Sequence, residues 1–595
     1  MRTQVEASRI ENDSATPDRL EEARDPRISS LSAGIWIGLA AVFSVLRKGY
    51  QFDGYYSDDA VQAPLILHRI HPELLANDPL IDLIVGRYQS GLFDLVTLLA
   101  PAIEIHVAYF VLFLIARLLA CVAMYRLAVT LSGSSLAGIL STFLLAGSAI
   151  SYFGGINFVE TILTPRGLAL PLGLFGLNAF LRRRPVAMGL WLAACLYIHP
   201  VSGINLLGAI AFCGVFFRAS APRKAFYAVL AVLALEILLI AVWTGQIGGE
   251  PGALRFDDAW AEVIARTVGP WVYLRLLQPG VLLTSAWILV FGAIGVAAAG
   301  SGEFKISFGR IALASAAALV LHAVGVDVLN LRFLLHAAPQ RATVALAAFS
   351  VAAVGLWIAK SILQPDPLRK TLGIAFFLAS VLLQDLRVAI LFGLLLALAW
   401  WLRETELAPR WRASIAAVLV CGTMAITWPS VVGSFHLTPD RLGGRIARLR
   451  SLGLDGDWVA VQTHIRLHSR VGDFVMPPMA LSPRLFAQRP STLTWKMKSF
   501  THVSRPYAFE YMAWRRDVGI PMQTAGAAEA IEIARRTGVR WLVLDDRDRP
   551  AEPGDPAPDF RAGPYRAFSL EPAEPVSRAR PRAEPESARP RYDTW

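Results

Sequence analysis

Apolar runs of about 20 residues, each long enough to cross a hydrocarbon core as a helix, recur between residues 32 and 432 and constrain this chain more than any other feature. Examples are VAYFVLFLIARLLACVAMYRLAV at 107–129 and AFYAVLAVLALEILLIAVW at 225–243. Composition agrees: 17% of residues are charged, where a soluble domain carries roughly a quarter. We place spans at 32–48, 105–130, 136–153, 166–181, 186–200, 201–217, 225–243, 279–299, 307–325, 338–359, 371–385, 386–402 and 413–432. That makes about 13 transmembrane helices, and an odd number puts the two ends of the chain on opposite sides.

A formal charge of +11 would suggest nucleic acid in a soluble protein, but here the basic residues sit in short loops and act as an orientation signal. No nucleic-acid partner is expected. With the N-terminus cytoplasmic, the inner loops hold Arg182, Arg183 and Arg184; Arg218, Arg223 and Lys224; Lys305 and Arg310; Lys360, Arg369 and Lys370; and Arg403, Arg410 and Arg412. The reverse orientation would translocate every cluster. Residues 49–104, 154–165, 244–278 and 433–595 therefore belong outside.

The four cysteines, Cys121, Cys195, Cys213 and Cys421, all fall in apolar runs, which argues against a disulfide framework. Residues 1–31 read as a disordered cytoplasmic tail, because their polar stretch lacks the apolar centre of a signal peptide. The first outer loop, 49–104, alternates apolar and polar residues broken by Pro64, Pro72 and Pro79, a pattern for short helices lying on the membrane surface. After residue 432 hydropathy drops. DFVMPP (473–478) and RWLVLDD (540–546) read as strands, and Ala527, Ala530, Ile531 and Ala534 mark a helix face that Gly538 ends. The expectation is a small extracytoplasmic α/β domain over 433–548 and a disordered Pro/Ala/Arg-rich tail over 549–595.

The sharpest local feature is YYSDDAVQAP, which puts Asp58 and Asp59 about ten residues beyond the first span. A carboxylate near a low-dielectric boundary beside a like charge can serve as a general base toward a hydroxyl. Ser-Asp-Asp is also ordinary helix-capping chemistry. In context, an acidic pair just after span one of such a chain resembles the signature of the GT-C superfamily of integral-membrane glycosyltransferases.

That resemblance implies an all-α polytopic fold in the inner (cytoplasmic) membrane of a bacterium, with a polyprenyl-phosphate-linked sugar as donor and a glycan, lipid or protein as acceptor. It implies Asp59, or Asp58, as catalytic base. It also allows a divalent cation (Mg or Mn) on Asp58 and Asp59, and it marks Asp78 in LLANDPL as a second acidic element. TPRGLALPLGL and LYIHP, with Arg166 and His199, resemble elements of bacterial relatives. No Trp-Trp-Asp motif appears after residue 432, which disfavours the asparagine-glycosylating branch.

A lipid-phosphate leaving group needs cations, and arginine suits it through bidentate, always-charged donors. In this topology Arg166, His199, His336 and Arg341 all reach the outer surface with Asp59, which makes them the candidate donor-phosphate ligands. Set against that reading, arginines near span ends also snorkel to headgroups, and a histidine at a helix end also serves as a polar cap. Arg117, Arg126 and Glu236 lie deeper and read as buried structural pairs, although a flippase for lipid-linked sugars would use them as a coupling path. Arg489, Trp495, Lys496 and Lys498 read as a solvated basic face, with an anionic partner or lipid headgroups as the alternative. A non-catalytic scaffold that contacts only membrane lipids and partners is the other alternative, and it predicts no need for Asp58 or Asp59.

Overall fold

The computed structural model describes residues 28–52, 58–147, 151–152, 156–216, 223–243, 255–382, 386–401, 414, 439–478 and 481–570. The tails at 1–27 and 571–595 and the span expected at 413–432, Ser414 apart, lie outside the described residues. Helix covers most of the described residues of the other expected spans, but the one expected at 136–153 ends as helix at Gly147 and has a strand at Ser151–Tyr152. In chain order, α1 (Ser30–Lys48) is followed by the loop helices α2 (Asp59–Ile70), α3 (Pro79–Ile84) and α4 (Gly91–Leu99), then by α5 (Ile105–Ser132) and α6 (Ser135–Gly147). A two-stranded ribbon, β1 (Ser151–Tyr152) with β2 (Ile156–Asn157), leads to α7 (Pro165–Leu181), α8 (Pro185–Ile198), α9 (Pro200–Phe216) and α10 (Arg223–Trp243). After α11 (Asp258–Val272) come α12 (Pro279–Ala299), α13 (Gly302–His322), α14 (Arg332–Ala337), α15 (Thr343–Leu363), α16 (Pro367–Leu382) and α17 (Leu386–Trp401).

Five helical segments among the described residues are long and apolar enough to cross a membrane: Ser30–Lys48, Ile105–Ser132, Pro279–Ala299, Gly302–Val328 and Arg332–Leu363. Others are shorter. The 13 residues of α6 give about 20 Å of helix against a hydrocarbon core of about 30 Å.

Proline sets several boundaries. α7, α8 and α12 each carry one in the first turn, where its missing N–H costs nothing. Pro200 forces His199 into an extended backbone (φ −150°, ψ 94°), because the α region is crowded for a residue preceding proline. Helix is thereby broken at His199, between α8 (Pro185–Ile198) and α9 (Pro200–Phe216).

α15 is the axis of the bundle and is buried along nearly its whole length. Small residues make that possible. At Gly295 of α12 an added Cβ would lie 2.8 Å from the carbonyl oxygen of Ala353 in α15, the close backbone approach that drives helix association where no hydrophobic effect operates.

The C-terminal segment carries a four-stranded sheet in the order β3 (Val475–Met476), β4 (Trp541–Asp545), β6 (Tyr565–Ser569), β5 (Phe560–Ala562). β3 and β4 are parallel and the remaining pairs antiparallel. Here the structure corrects the sequence reading, since the tail expected from residue 549 instead supplies the last two strands. Tyr565 and Ala567 enter one core with Trp458 and Trp541, while Phe568 and Leu570 enter another with Ile531 and Leu544. Arg566 lies between them, buried and paired to Asp546 at 2.6 Å and Asp555 at 2.9 Å.

This segment sits on the end of the bundle that holds α2, α3, α4 and α11. Trp260 Nε1 of α11 donates to Thr501 O (2.8 Å), and Arg332 Nη2 donates to Val503 O (3.1 Å). Leu493, Met497 and Tyr511 belong to the same apolar cluster as the bundle.

Candidate functional site

Asp58 immediately precedes α2 and makes no capping bond with its side chain. Its carboxylate instead takes Lys496 Nζ on Oδ1 at 2.7 Å and Arg166 Nη2 on Oδ2 at 3.3 Å. The three side chains come from the first loop, the start of α7 and the C-terminal segment, and each is about a fifth to a quarter exposed. Arg166 is oriented by Glu160, whose Oε1 accepts from Nε at 2.9 Å and Nη2 at 2.6 Å. Glu160 is fixed in turn by Thr164 Oγ1 at 2.7 Å, and that hydroxyl also caps α7 through Gly167 N–H.

Burial pushes the Asp58 carboxyl up, but Lys496, Arg166 and, more weakly, His199 outweigh it and hold the group well below the usual carboxylate range. Tyr88, beneath the cluster, has its hydroxyl pushed up by burial and by Asp58, partly offset by the Gln62 hydrogen bond and by the charges of Arg166 and Arg341. Arg341 lies in a tight turn, Pro339–Ala342, ahead of α15. Its charge also acts on His502, where burial first and Arg341 next bring the imidazole down to about 4. Farther out, Lys498 lies over the Trp271 ring at 5.3 Å and Arg515 over Trp495 at 5.3 Å. Burial, then Arg515 and Lys496, push the Lys498 ammonium down. The surroundings of Asp58 are strongly electropositive.

The other sequence candidates divide. Asp59, adjacent in sequence, turns away as the first residue of α2 and is buried against a cavity of about 10 Å³ bounded by Phe52, Gln462 and Phe486. Asp58 is the carboxylate described in contact with Arg166. His199 caps α9, with Nδ1 2.8 Å from Ser202 Oγ and accepting from Ser202 N–H at 3.1 Å. His336 packs against His502 at 5.2 Å between ring centroids, and its buried Nε2 has no hydrogen-bond partner among the described residues. Nothing described links it directly to Asp58.

Asp78 is no substrate group. Oδ1 caps α3 through Leu80 N–H (2.9 Å) and Ile81 N–H (3.3 Å), and Oδ2 takes Arg484 Nε and Ser491 N–H, each at 2.8 Å. Asp78 is 0% and Arg484 1% exposed. Arg117, expected in a buried pair, instead lies over the Phe113 ring at 4.5 Å.

Sequence reasoning missed Glu160 and misjudged Lys496. Glu160, six residues before Arg166 across the Pro165 turn, carried a local signal. Lys496 carried none, since its partner lies 438 positions away.

The expected divalent cation would meet an Asp58 carboxylate already engaged by cations. Both Asp58 oxygens already face cations, and among the described residues no three His, Cys, Asp or Glu side chains are grouped to hold a metal ion. A hard cation needs several converging oxygen ligands and would meet Lys496 and Arg166 at van der Waals range.

No family model and no curated protein matches the chain. Among solved structures, the archaeal oligosaccharyltransferase AglB from Archaeoglobus fulgidus, in complex with an inhibitory peptide and a dolichol-phosphate, is similar over 86% of this chain and 69% of its own. That match has 12% identity and a TM-score of 0.38. The arabinofuranosyltransferase AftD from Mycobacteria is similar over 87% of this chain, with 13% identity and a TM-score of 0.44, and this chain spans 35% of its length. Both are named as enzymes that transfer sugars. Similarity at that level carries no argument about chemistry, which rests on the residues themselves.

Proposed function

We propose that the chain is a membrane glycosyltransferase that takes a sugar from a polyprenyl-phosphate-linked donor and passes it to a hydroxyl acceptor outside the membrane. The observation that carries this reading is the meeting of Asp58, Arg166 and Lys496 at one end of the bundle, from positions 108 and 438 residues apart. Counting Arg341 and Glu160, three fixed cations stand against two carboxylates, a surplus suited to one bound anion. Guanidinium and ammonium donors suit a phosphate that must leave with negative charge.

The donor phosphate takes Arg166 and Lys496 from Asp58. Freed of them and placed beside a new negative charge, the Asp58 carboxyl rises toward the range in which a general base works. The acceptor oxygen then attacks the anomeric carbon and its proton passes to Asp58. The bond from that carbon to the phosphate oxygen breaks, and the lipid phosphate leaves with the electron pair. One displacement inverts the centre, with oxocarbenium character developing beside the carboxylate. Trp271, Lys498 and Trp495 offer aromatic and basic surface to an acceptor sugar.

The test offers purified protein a panel of radiolabelled polyprenyl-phosphate sugars over a pH range. The acid limb of kcat/KM reports the free enzyme and that of kcat the donor complex. The kcat limb is expected at the higher pH. Coincident limbs, or no transfer from any donor in the panel, would refute the proposal.

A further inference from the structure

A cavity of about 310 Å³ opens at the opposite end of the bundle, between the end of α7, the end of α9, the first half of α13 and α15. It shares no residue with the Asp58 cluster. Its walls have two characters. Phe180 and Phe349, both buried, form an apolar floor, while Arg183, Glu303, Ser307 and Arg310 supply polar groups. Two guanidiniums against one carboxylate leave a single positive charge.

Arg183 is one of six described non-glycine residues with a positive φ. It follows α7 in the left-handed conformation, φ +57°, where its N–H bonds Phe180 O at 2.9 Å and the next N–H bonds Ala179 O at 2.9 Å. Glycine is the ordinary choice at such a helix end, because a Cβ is crowded there. The Arg183 side chain is among those that line the cavity.

We infer that this cavity binds the headgroup of an anionic phosphodiester lipid, with Arg183 and Arg310 on the phosphate and Phe180 and Phe349 against the first part of its chain. A soluble anion would have no use for the apolar floor, and a lipid without net charge would leave the surplus positive charge unmatched. The site stands apart from the proposed transfer chemistry, and its test does not depend on that chemistry.

Native mass spectrometry of the detergent-purified full chain, titrated with phosphatidylglycerol or phosphatidylcholine, reads the affinity of the tightest-bound lipid. Phosphatidylglycerol is expected to bind more tightly. Arg183→Gly should weaken it about five-fold, the worth of one basic residue at a lipid surface, while Tm in lipid-free detergent is unchanged or rises as the left-handed strain is relieved. Ser307→Trp, which fills the cavity, should abolish that binding event. Equal affinity for both lipids, unchanged affinity in Arg183→Gly, or full displacement of the lipid by millimolar inorganic phosphate would each overturn the inference.

Discussion

Asp78 and Asp58 lie twenty residues apart in one loop, and each pairs with a cation from the C-terminal segment, yet their surroundings differ in kind. Asp78 and Arg484 are dry, and each carboxylate oxygen is saturated by two donors. Asp58 is a quarter exposed and is surrounded by more positive than negative charge. A saturated buried pair can only fasten one element to another, because any ligand would first have to pull a bare charge out of a low-dielectric interior. A partly wet cluster with a cationic surplus can exchange its carboxylate for another anion at small cost. The same residue type in the same loop is dry and saturated in one place and partly wet among cations in the other.

The largest effect expected from this contrast is on stability. Asp78→Ala strands Arg484 and should cost about 3–5 kcal/mol, seen as a large drop in Tm in detergent, and adding Arg484→Met should recover part of the loss. A Tm within a degree of wild type would show that the fastener is not one. Next in size, Arg166→Lys removes the fork held by Glu160 and should lower kcat/KM roughly ten- to a hundred-fold, the worth of one or two hydrogen bonds to a charged group, with little change in Tm. Equal loss of both would make Arg166 structural.

The electropositive seam can be probed through His502. Its folded-state value of about 4 lies below the ordinary 6.5, so the unfolded chain takes up the proton first as pH falls. Stability is therefore full above about pH 6.5 and is lost between 6.5 and 4, at up to about 1.4 kcal/mol per pH unit. His502→Gln should flatten that slope in a series of thermal melts. Smallest of all, Arg505→Ala breaks an ion pair with Asp257 (2.7 Å) in which both partners are about half exposed, and the change should stay below about 1 kcal/mol.

The helical runs and their ends were legible because hydropathy, proline and basic residues are local signals. They also underlie the expectation that Arg166, His199, His336 and Arg341 share one end of the bundle. The direction in which adjacent residues point was not legible. Asp58 and Asp59 part because α2 begins between them, and that choice depends on what packs against the helix. Lys496 looked like a solvated basic residue because nothing near it in sequence announces a partner in the first loop. The last two strands were hidden by composition. Arg566 interrupts an apolar alternation, and it is tolerated in the core only because Asp546 and Asp555 come to meet it.

One comparison tests the central claim most directly: sugar transfer from a polyprenyl-phosphate donor by Asp58→Asn and by Asp59→Asn, each with its melting curve. Asp58→Asn should melt near wild type while transfer falls about 10²–10⁴-fold, the usual worth of a positioned general base, and Asp59→Asn should retain transfer in proportion to folded protein. Undiminished transfer by folded Asp58→Asn would contradict the account.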